Sequence, residues 1–167
     1  MAYKYFNSYS IHLKNLNGIF MNGQKPFTGI TFSLFPNTSD TAQISCFKNG
    51  KENGLWQQFY ANGKKKQQRY FLDGIKVKTD SAWWENGQLQ FVCKFENGEY
   101  EGELKEWNAQ GVLIREMHYK KGYEEGAQKQ FYDNGKVRSN YIMRNGKRIG
   151  LLGTKNCVNV SDSIFTK

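Results

Sequence analysis

A repeat of 24 residues runs without a gap through the middle of this 167-residue chain and limits what the chain can fold into. Large apolar residues recur in one column, at Phe47, Phe71, Phe95, Tyr119 and Met143. Glycines form two further columns, Gly50, Gly74, Gly98, Gly122 and Gly146, and Gly63, Gly87, Gly111 and Gly135. A period in this range indicates a repeat architecture, in which each unit buries its apolar side chains against its neighbours.

Each repeat contains two turn signals, about half a period apart. One series is ANGK, ENGQ, AQGV and DNGK, and the other is KNGK, LDGI, ENGE, KKGY and RNGK. Asn-Gly and Asp-Gly between alternating apolar residues are the strongest short-range signal for a β-hairpin, because glycine adopts positive φ without steric cost. The pattern therefore predicts an all-β fold, an elongated, open, single-layer antiparallel sheet of consecutive β-hairpins.

The register of the hairpins decides which side chains share a face, because a slip of one residue turns every side chain over. A two-residue loop would set Trp84 opposite Leu89, whereas a three-residue loop with glycine in the left-handed bulge position would set Trp83 opposite Leu89. We favour the three-residue loop because it brings the two most regular apolar columns onto one face. That face then also holds Phe91, Cys93 and Phe95.

Departures from the repeat divide the chain into four parts. We expect N-terminal cap strands in residues 1–19, a degenerate first repeat in 20–46, regular hairpin repeats in 47–150 and a C-terminal cap or tail in 151–167. Terminal repeats of an array are often atypical because they cover its ends. Within the regular repeats, Lys78 interrupts a column that is otherwise glycine.

The segments FKNGKENGLWQQFYANGK and FYDNGKV resemble the bacterial variant of MORN repeats (membrane occupation and recognition nexus), and the resemblance covers about residues 20 to 150. It implies an open hairpin sheet that acts as a binding or scaffold surface and carries no catalytic residues. Bacterial relatives are often labelled antitoxin-like or immunity-like partners of a protein toxin. Relatives in animals and parasites have been linked to membrane lipids and to cytoskeletal assembly. Lys78, Asn108 and Gln110 depart from the family pattern.

No group of residues in the sequence indicates catalysis or a cofactor. His12 and His118 have no second ligand at metal-binding spacing, and no Ser/His/Asp or Cys/His arrangement can be assembled. The glycines recur at turns and none opens a helix, so there is no phosphate-binding loop. The three cysteines are odd in number and lie far apart in the sequence, a pattern that is neither a disulfide framework nor the ligand spacing of a zinc site. We therefore expect a protein that is not an enzyme and holds no cofactor or metal.

The charges are arranged in bands, although the net charge is +9. Lys and Arg outnumber Asp and Glu 8 to 2 in residues 48–78 and 8 to 3 in residues 117–148, whereas the acids lead 8 to 3 in residues 80–116. Nucleic acid would favour an unbroken basic track, so we expect no nucleic-acid partner. A protein partner with complementary charges fits the bands, and charges that only keep the sheet soluble explain them equally well.

The partner-binding residues are predicted on the second face of the sheet and in the acidic band. Aromatic rings among amide and cationic side chains are typical of protein interfaces. The predicted set is Trp56, Tyr60, Trp84, Tyr132, Lys66, Arg138, Glu99, Glu101 and Glu103, with Gln58, Gln68 and Gln130 between them. The alternative is that the rings only cover the strands and that the acids form a solvated face, since alternation along strands disperses carboxylates.

The sequence thus indicates a binding or scaffold protein that holds a protein partner, with a toxin as the candidate partner of an antitoxin-like or immunity-like chain. The alternative function is a scaffold on an anionic membrane surface, using the basic bands in residues 64–69 and 136–148. Self-association through sheet edges is also expected, because unpaired edges invite pairing. No membrane-spanning or signal segment stands out in the sequence. Localisation stays open between the bacterial cytoplasm and, if a signal was removed, the cell envelope.

Overall fold

The computed structural model describes residues 3–151, and within them the chain forms fifteen β-strands and no helix. The strands are β1 (Tyr5–Asn7), β2 (Leu13–Leu16), β3 (Ile19–Asn22), β4 (Lys25–Pro26), β5 (Gly29–Leu34), β6 (Thr41–Lys48), β7 (Lys51–Phe59), β8 (Lys65–Leu72), β9 (Ile75–Trp83), β10 (Leu89–Glu96), β11 (Glu99–Trp107), β12 (Leu113–Lys120), β13 (Tyr123–Phe131), β14 (Val137–Arg144) and β15 (Lys147–Leu151). The expected C-terminal tail and Cys157 lie outside the described residues, apart from Leu151 at the end of β15.

Twelve strands form one sheet, in which β5 to β15 follow one another in chain order and β1 lies beside β5. Neighbouring strands from β5 onward are antiparallel, whereas β1 pairs with β5 in parallel. The open sheet of consecutive hairpins predicted from the repeat is confirmed, with β1 as the parallel exception. The strands β2, β3 and β4 form a separate small sheet.

Two kinds of turn alternate between the strands and form the two long borders of the main sheet. In a two-residue turn such as Asn97-Gly98 both residues have positive φ, of 51° and 84°, which matches the twist of a hairpin. In a three-residue loop such as 85–87, the N–H of Trp84 donates to the carbonyl of Gln88 at 2.8 Å, and Gly87 has a φ of 92°. The two-residue border comprises the turns 49–50, 73–74, 97–98, 121–122 and 145–146. The three-residue border comprises the loops 61–63, 85–87, 109–111 and 133–135.

The predicted register is confirmed, because Trp83 lies opposite Leu89. The later repeats follow the same rule, with Trp107 opposite Leu113 and Phe131 opposite Val137. We call the face that carries the buried residues Cys93 and Phe95 the core face, and the opposite one the outer face. Trp83 follows the buried core-face residue Ala82, so alternation places Trp83 and its partner Leu89 on the outer face. The prediction that they share a face with Phe91, Cys93 and Phe95 is therefore wrong.

A row of side chains crosses the sheet along the core face and forms its most buried part. Its members face one another strand by strand: Thr31, Ser45, Trp56, Arg69, Asp80, Cys93, Leu104, Met117, Gln128 and Tyr141. Gln128 is 0% exposed. Its Nε2 donates to the carbonyl of His118 at 2.7 Å, and its Oε1 accepts from the N–H of His118 at 3.3 Å. The amide is therefore satisfied, as a buried polar group must be.

A β-bulge in the interior of alternate strands explains the interrupted glycine column. Gly54, Gly102 and Gly126 have φ values of 105°, 78° and 85° in β7, β11 and β13. Lys78 in β9 has a φ of 62°, so it takes the same left-handed conformation. The bulge is therefore kept where glycine is replaced, and Lys78 carries the steric cost of a Cβ in this region.

The start of the degenerate first repeat packs against the first regular repeat. The rings of Phe20 and Phe27 meet Phe47 edge to face, with centroids 4.9 and 5.7 Å away. The N–H of Gly50 donates to the carbonyl of Phe27, and the N–H of Phe20 donates to the carbonyl of Gly50, both at 2.7 Å. This end of the array is thus closed by aromatic packing and by the small sheet.

Candidate functional site

The predicted partner-binding residues do not all lie on one face. Trp56 pairs with Arg69, whose guanidinium lies 4.8 Å from the indole centroid, so Trp56 belongs to the core row. Gln58 lies opposite Gln67, and Gln130 opposite Arg115, both on the core face. Trp56, Gln58 and Gln130 therefore lie opposite the Trp83 and Leu89 columns, as predicted, but on the face that also carries Cys93.

The misplaced columns have a physical cause beside the three-residue loops. Gln58 pairs with Gln67, while the next residue, Phe59, pairs with Lys65, so Lys66 is an extra residue in β8. This β-bulge breaks the alternation of β8, because the ammonium of Lys65 donates to Oε1 of Gln68 at 3.3 Å and both residues therefore lie on the outer face. Alternation counted from the loop side of the bulge thus assigns the rest of the strand to the wrong face.

Of the remaining predicted polar residues in this part of the sheet, Gln68 lies on the outer face, whereas Lys66 contacts Tyr60, which shares the face of Gln58. Gln68 accepts from Nε2 of Gln57 at 3.0 Å and donates to the hydroxyl of Tyr70 at 3.1 Å. The ammonium of Lys66 lies 5.6 Å from the ring centroid of Tyr60. Cation–π contacts at exposed sites contribute about 0.5–1 kcal/mol, so this one holds the ring without burying it.

The aromatic residues at the three-residue border are tied to the following repeat. The hydroxyl of Tyr60 donates to the carbonyl of Trp83 at 2.9 Å, and Nε1 of Trp84 donates to the carbonyl of Trp107 at 3.0 Å. The side chain of Asn86 continues the series by donating to the carbonyl of Ala109 at 2.9 Å. These rings therefore have fixed orientations and link neighbouring repeats.

Tyr132 and Arg138 meet at one hollow of about 200 Å³ at the same border. The other lining residues are Glu106, Ile114, Arg115, Gln130, Phe131 and Asp133. Tyr132 is 44% exposed, and Arg115 is paired with Glu106 at 3.0 Å. Arg138 is exposed and forms no ion pair with any residue from 3 to 151. The hollow thus combines a ring, apolar walls and an available cation.

The three predicted acidic residues have different surroundings in the structure. Glu103 lies 2.9 Å from the ammonium of Lys105, Glu101 accepts from the N–H of Lys121 at 2.8 Å, and Glu99 stands exposed beside a two-residue turn. In the part of the chain that the structure describes, no three His, Cys, Asp or Glu side chains converge on a metal position. The carboxylates therefore act as separate surface charges.

A charge ladder on the outer face lies next to Glu103. Lys105 and Lys129 both reach Glu116, each at 3.4 Å. Burial alone would raise the pKa of Glu116, but the hydrogen bonds from the two ammonium groups outweigh it and hold that pKa below its ordinary value. The ladder links three neighbouring strands by ion pairs.

Sequence reasoning missed a charged cluster in the core row. The buried carboxylate of Asp80 lies 3.2 Å from Nε of Arg69 and 3.8 Å from the ammonium of Lys76, and it accepts from Nε2 of Gln67 at 3.1 Å. The repeat does not predict this cluster, because the residues one period before and after Asp80 are Trp56 and Leu104. The cluster joins β8 to β9.

Comparison with known proteins agrees with the repeat and adds little beyond it. The family described as "MORN repeat variant" matches residues 52–73, 100–121 and 124–147. A search of curated proteins gives no match. Within the described residues, no helix is long and apolar enough to cross a membrane.

Two solved structures overlap with the sheet in part. One is S. aureus TarM, with 16% identity and a TM-score of 0.36, and the other is a TarM mutant in complex with fondaparinux, alpha-GlcNAc-glycerol and UDP, with 15% identity and a TM-score of 0.37. Each match covers 66% of this chain and 21% of TarM, so the chain spans about a fifth of that protein's length. A likeness this weak has no bearing on function.

The segments matched by the family correspond to three hairpins of the main sheet, β7–β8, β11–β12 and β13–β14. Such repeats are generally protein-binding or membrane-binding modules rather than enzymes. The matched hairpins and the intervening one share the same turns, bulges and register. Three stretches of the chain, residues 52–73, 100–121 and 124–147, therefore match the MORN repeat variant.

Proposed function

We propose that this chain is a protein-binding module without enzymatic activity, and that its partner docks at the three-residue border over the hollow lined by Tyr132 and Arg138. The observation that supports this most is the meeting of an exposed ring with a cation that has no ion-pair partner in residues 3–151. Tyr and Arg seated in pockets are the residue types that dominate binding energies at protein interfaces.

The chemistry of the hollow favours a particular kind of contact. The guanidinium of Arg138 fits a carboxylate, which it can bind with two parallel hydrogen bonds. Ile114 and Phe131 offer apolar walls to the stem that carries the carboxylate. The expected partner is a protein that inserts an Asp or Glu here, and a protein toxin held by an antitoxin-like or immunity-like chain is the candidate.

The neighbouring rings extend the proposed docking surface along the border. Tyr60 and Trp84 are oriented by hydrogen bonds to the next repeat. A side chain that is already ordered loses less conformational entropy when a partner binds, and the affinity is higher for that reason. Tyr60, Trp84 and Tyr132 are spaced at multiples of the 24-residue period, so they present rings at regular intervals.

Affinity capture of the tagged chain in its native organism, followed by mass spectrometry, tests this proposal. The wild type should recover one protein in stoichiometric amount, and Arg138→Glu should reduce its recovery at least about tenfold. Lys94→Glu is the matched control, because it makes the same charge change at an exposed position away from the hollow. Equal recovery by wild type and Arg138→Glu would contradict the proposed site.

A membrane surface is the second candidate, because both basic bands emerge at the same border. Residues 61–66 and 133–138 are exposed there, and Lys64 and Lys136 occupy the same column of the repeat. Each Lys or Arg near an anionic surface contributes about 1 kcal/mol. Sedimentation with phosphatidylserine vesicles at low salt tests this candidate, and a chain that stays in the supernatant would eliminate it.

A further inference from the structure

At the two-residue border, the residues that flank each turn lie directly opposite one another. The pairs are Lys48–Lys51, Leu72–Ile75, Glu96–Glu99, Lys120–Tyr123 and Arg144–Lys147. All ten residues are exposed. Each pair follows a core-face residue by one position, so alternation places the pairs on the outer face. Along the border they read basic, apolar, acidic, mixed and basic.

Three of these five pairs set like charges against each other. Like charges directly opposite in an antiparallel pair are destabilising. None of Lys48, Lys51, Glu96 and Glu99 forms an ion pair with another described residue. Glu96 and Glu99 share an open hollow with Lys120 and Lys121, but neither carboxylate is held in an ion pair, so the charges of the Lys48–Lys51 and Glu96–Glu99 pairs can pair with groups supplied from outside.

The first three pairs form a continuous strip because the second residue of each lies over the next turn. The side chain of Lys51 lies beside Gly74, Ile75 beside Gly98, and Glu99 beside Gly122. Neighbouring strands are about 4.8 Å apart, so successive pairs recur every ~10 Å along the border. A partner that matches the strip must present its own groups at this spacing, and a second copy of the chain does so automatically.

The first three pairs are self-complementary in reverse order. When two copies approach antiparallel about a two-fold axis at Leu72–Ile75, Lys48 and Lys51 of each copy face Glu96 and Glu99 of the other. The apolar pair then meets its own equivalent at the centre. An axis at Glu96–Glu99 or at Lys120–Tyr123 would instead bring like charges together on the axis. Of the two-fold axes centred on one of the five pairs, only the axis at Leu72–Ile75 places no like charges together on the axis.

We propose that two copies of this chain associate antiparallel through the two-residue border, centred on Leu72 and Ile75. The interface is isologous, as in most symmetric dimers. It involves three turns from each copy, so its area falls at the small end of specific interfaces and the association is weak and salt-dependent. The proposal is independent of the hollow at the opposite border and holds whether or not a second protein binds there.

Sedimentation equilibrium of the full chain at low salt, at protein concentrations up to about 1 mM, tests this association. Lys48→Glu/Lys51→Glu makes the strip acidic throughout, and Glu96→Lys/Glu99→Lys makes it basic throughout. Each variant alone should dimerise at least about tenfold more weakly than wild type. An equimolar mixture of the two should recover wild-type association, because an acidic strip then faces a basic one.

Matched controls separate the strip from general charge effects. Arg144→Glu/Lys147→Glu makes the same charge change as Lys48→Glu/Lys51→Glu, but at the fifth pair, outside the proposed interface. It should leave the dimer dissociation constant unchanged. Leu72→Ser/Ile75→Ser should weaken association without altering any charge. Circular dichroism identifies any variant that does not fold. A monomeric wild type, a mixture that fails to associate, or a control variant that loses as much association as the charge reversals would each overturn the proposal.

Discussion

Arg69 and Asp80 form an ion pair within the core row, with Nε 3.2 Å from Oδ2 and the carboxylate side chain 6% exposed. Asp80 also receives a hydrogen bond from Gln67 and lies near Lys76. A carboxylate buried in a sheet face is tolerated only when such partners surround it. This cluster therefore makes the β8–β9 pairing depend on charge as well as on apolar packing.

Replacing Asp80 by Ala should cost about 2–3 kcal/mol of unfolding free energy, because Arg69 is then left without its counter-charge. The value lies below that of a fully buried pair, since Arg69 is 30% exposed and screened by solvent. Urea denaturation measures the change. Glu85→Ala removes an exposed carboxylate and should change stability by less than about 0.5 kcal/mol. Equal effects from the two substitutions would show that the pair is not structural.

Gln128 offers a test of polar satisfaction in the core. Gln128→Leu should lose about 1–3 kcal/mol, because the N–H and carbonyl of His118 lose their partner. Gln128→Glu places a carboxylate oxygen against that carbonyl, so it should be worse at neutral pH. Its deficit should shrink as pH falls, because a protonated carboxyl can donate. Urea denaturation at two pH values checks this, and a deficit independent of pH would contradict the assigned hydrogen bonds.

Lys78 provides a test of backbone strain. Lys78→Gly should be more stable than Lys78→Ala by about 1 kcal/mol, because only glycine occupies φ of 62° without a steric cost. Both variants lose the contact between the Lys78 ammonium and the Tyr70 ring, 5.2 Å apart, so their difference isolates the backbone. Thermal unfolding of the pair measures it. Equal midpoints would mean that this position carries no strain.

Two glutamates should affect the pH dependence of stability with opposite signs. Burial raises the pKa of Glu52 despite Arg69 and Lys76, so folding is weakened as pH rises through that pKa. The pKa of Glu116 is lowered in the folded chain, so Glu116 stabilises the fold at pH values above its pKa in the unfolded chain. This stabilisation is lost as the pH falls through the pKa of the folded chain. At neutral pH, Glu52→Gln should therefore stabilise the chain and Glu116→Gln should destabilise it. Both differences should vanish in acid, and urea titrations showing the same sign for both would refute this assignment.

Cys93 should be unreactive in the folded chain. Burial, together with the nearby charge of Asp80, raises the pKa of its thiol to about 12. Since the thiolate is the reactive form, alkylation at pH 8 should be about a thousandfold slower than in urea. Iodoacetamide labelling followed by peptide mass spectrometry measures both rates. Comparable labelling in the two conditions would show that the core face opens readily.

The register could be predicted from the sequence because only one pairing, Trp83 with Leu89, joins two apolar columns. The face of Cys93 could not, because a β-bulge between Leu89 and Phe91 shifts the alternation by one residue. Counting alternate residues from Leu89 therefore predicts the wrong face for Phe91, Cys93 and Phe95. A bulge has no side-chain signature beyond the loop glycine, so its exact place appears only in the paired strands.

The sequence predicts only part of the candidate site, because some of its contacts depend on how the strands pair. Tyr132 and Arg138 were both predicted and do line one hollow. Arg69 and Asp80 were missed, because their attraction depends on the pairing of β8 with β9 and not on any repeated residue type. The parallel pairing of β1 with β5 likewise has no counterpart in the repeat.

The central claim, protein binding at the three-residue border, is tested most directly by calorimetric titration of the captured partner with wild type and with Arg138→Glu. A residue that anchors an interface costs about 2 kcal/mol or more when removed, so the dissociation constant should rise at least about thirtyfold. Lys94→Glu should leave it unchanged. A dissociation constant that is the same for wild type and Arg138→Glu would contradict the account.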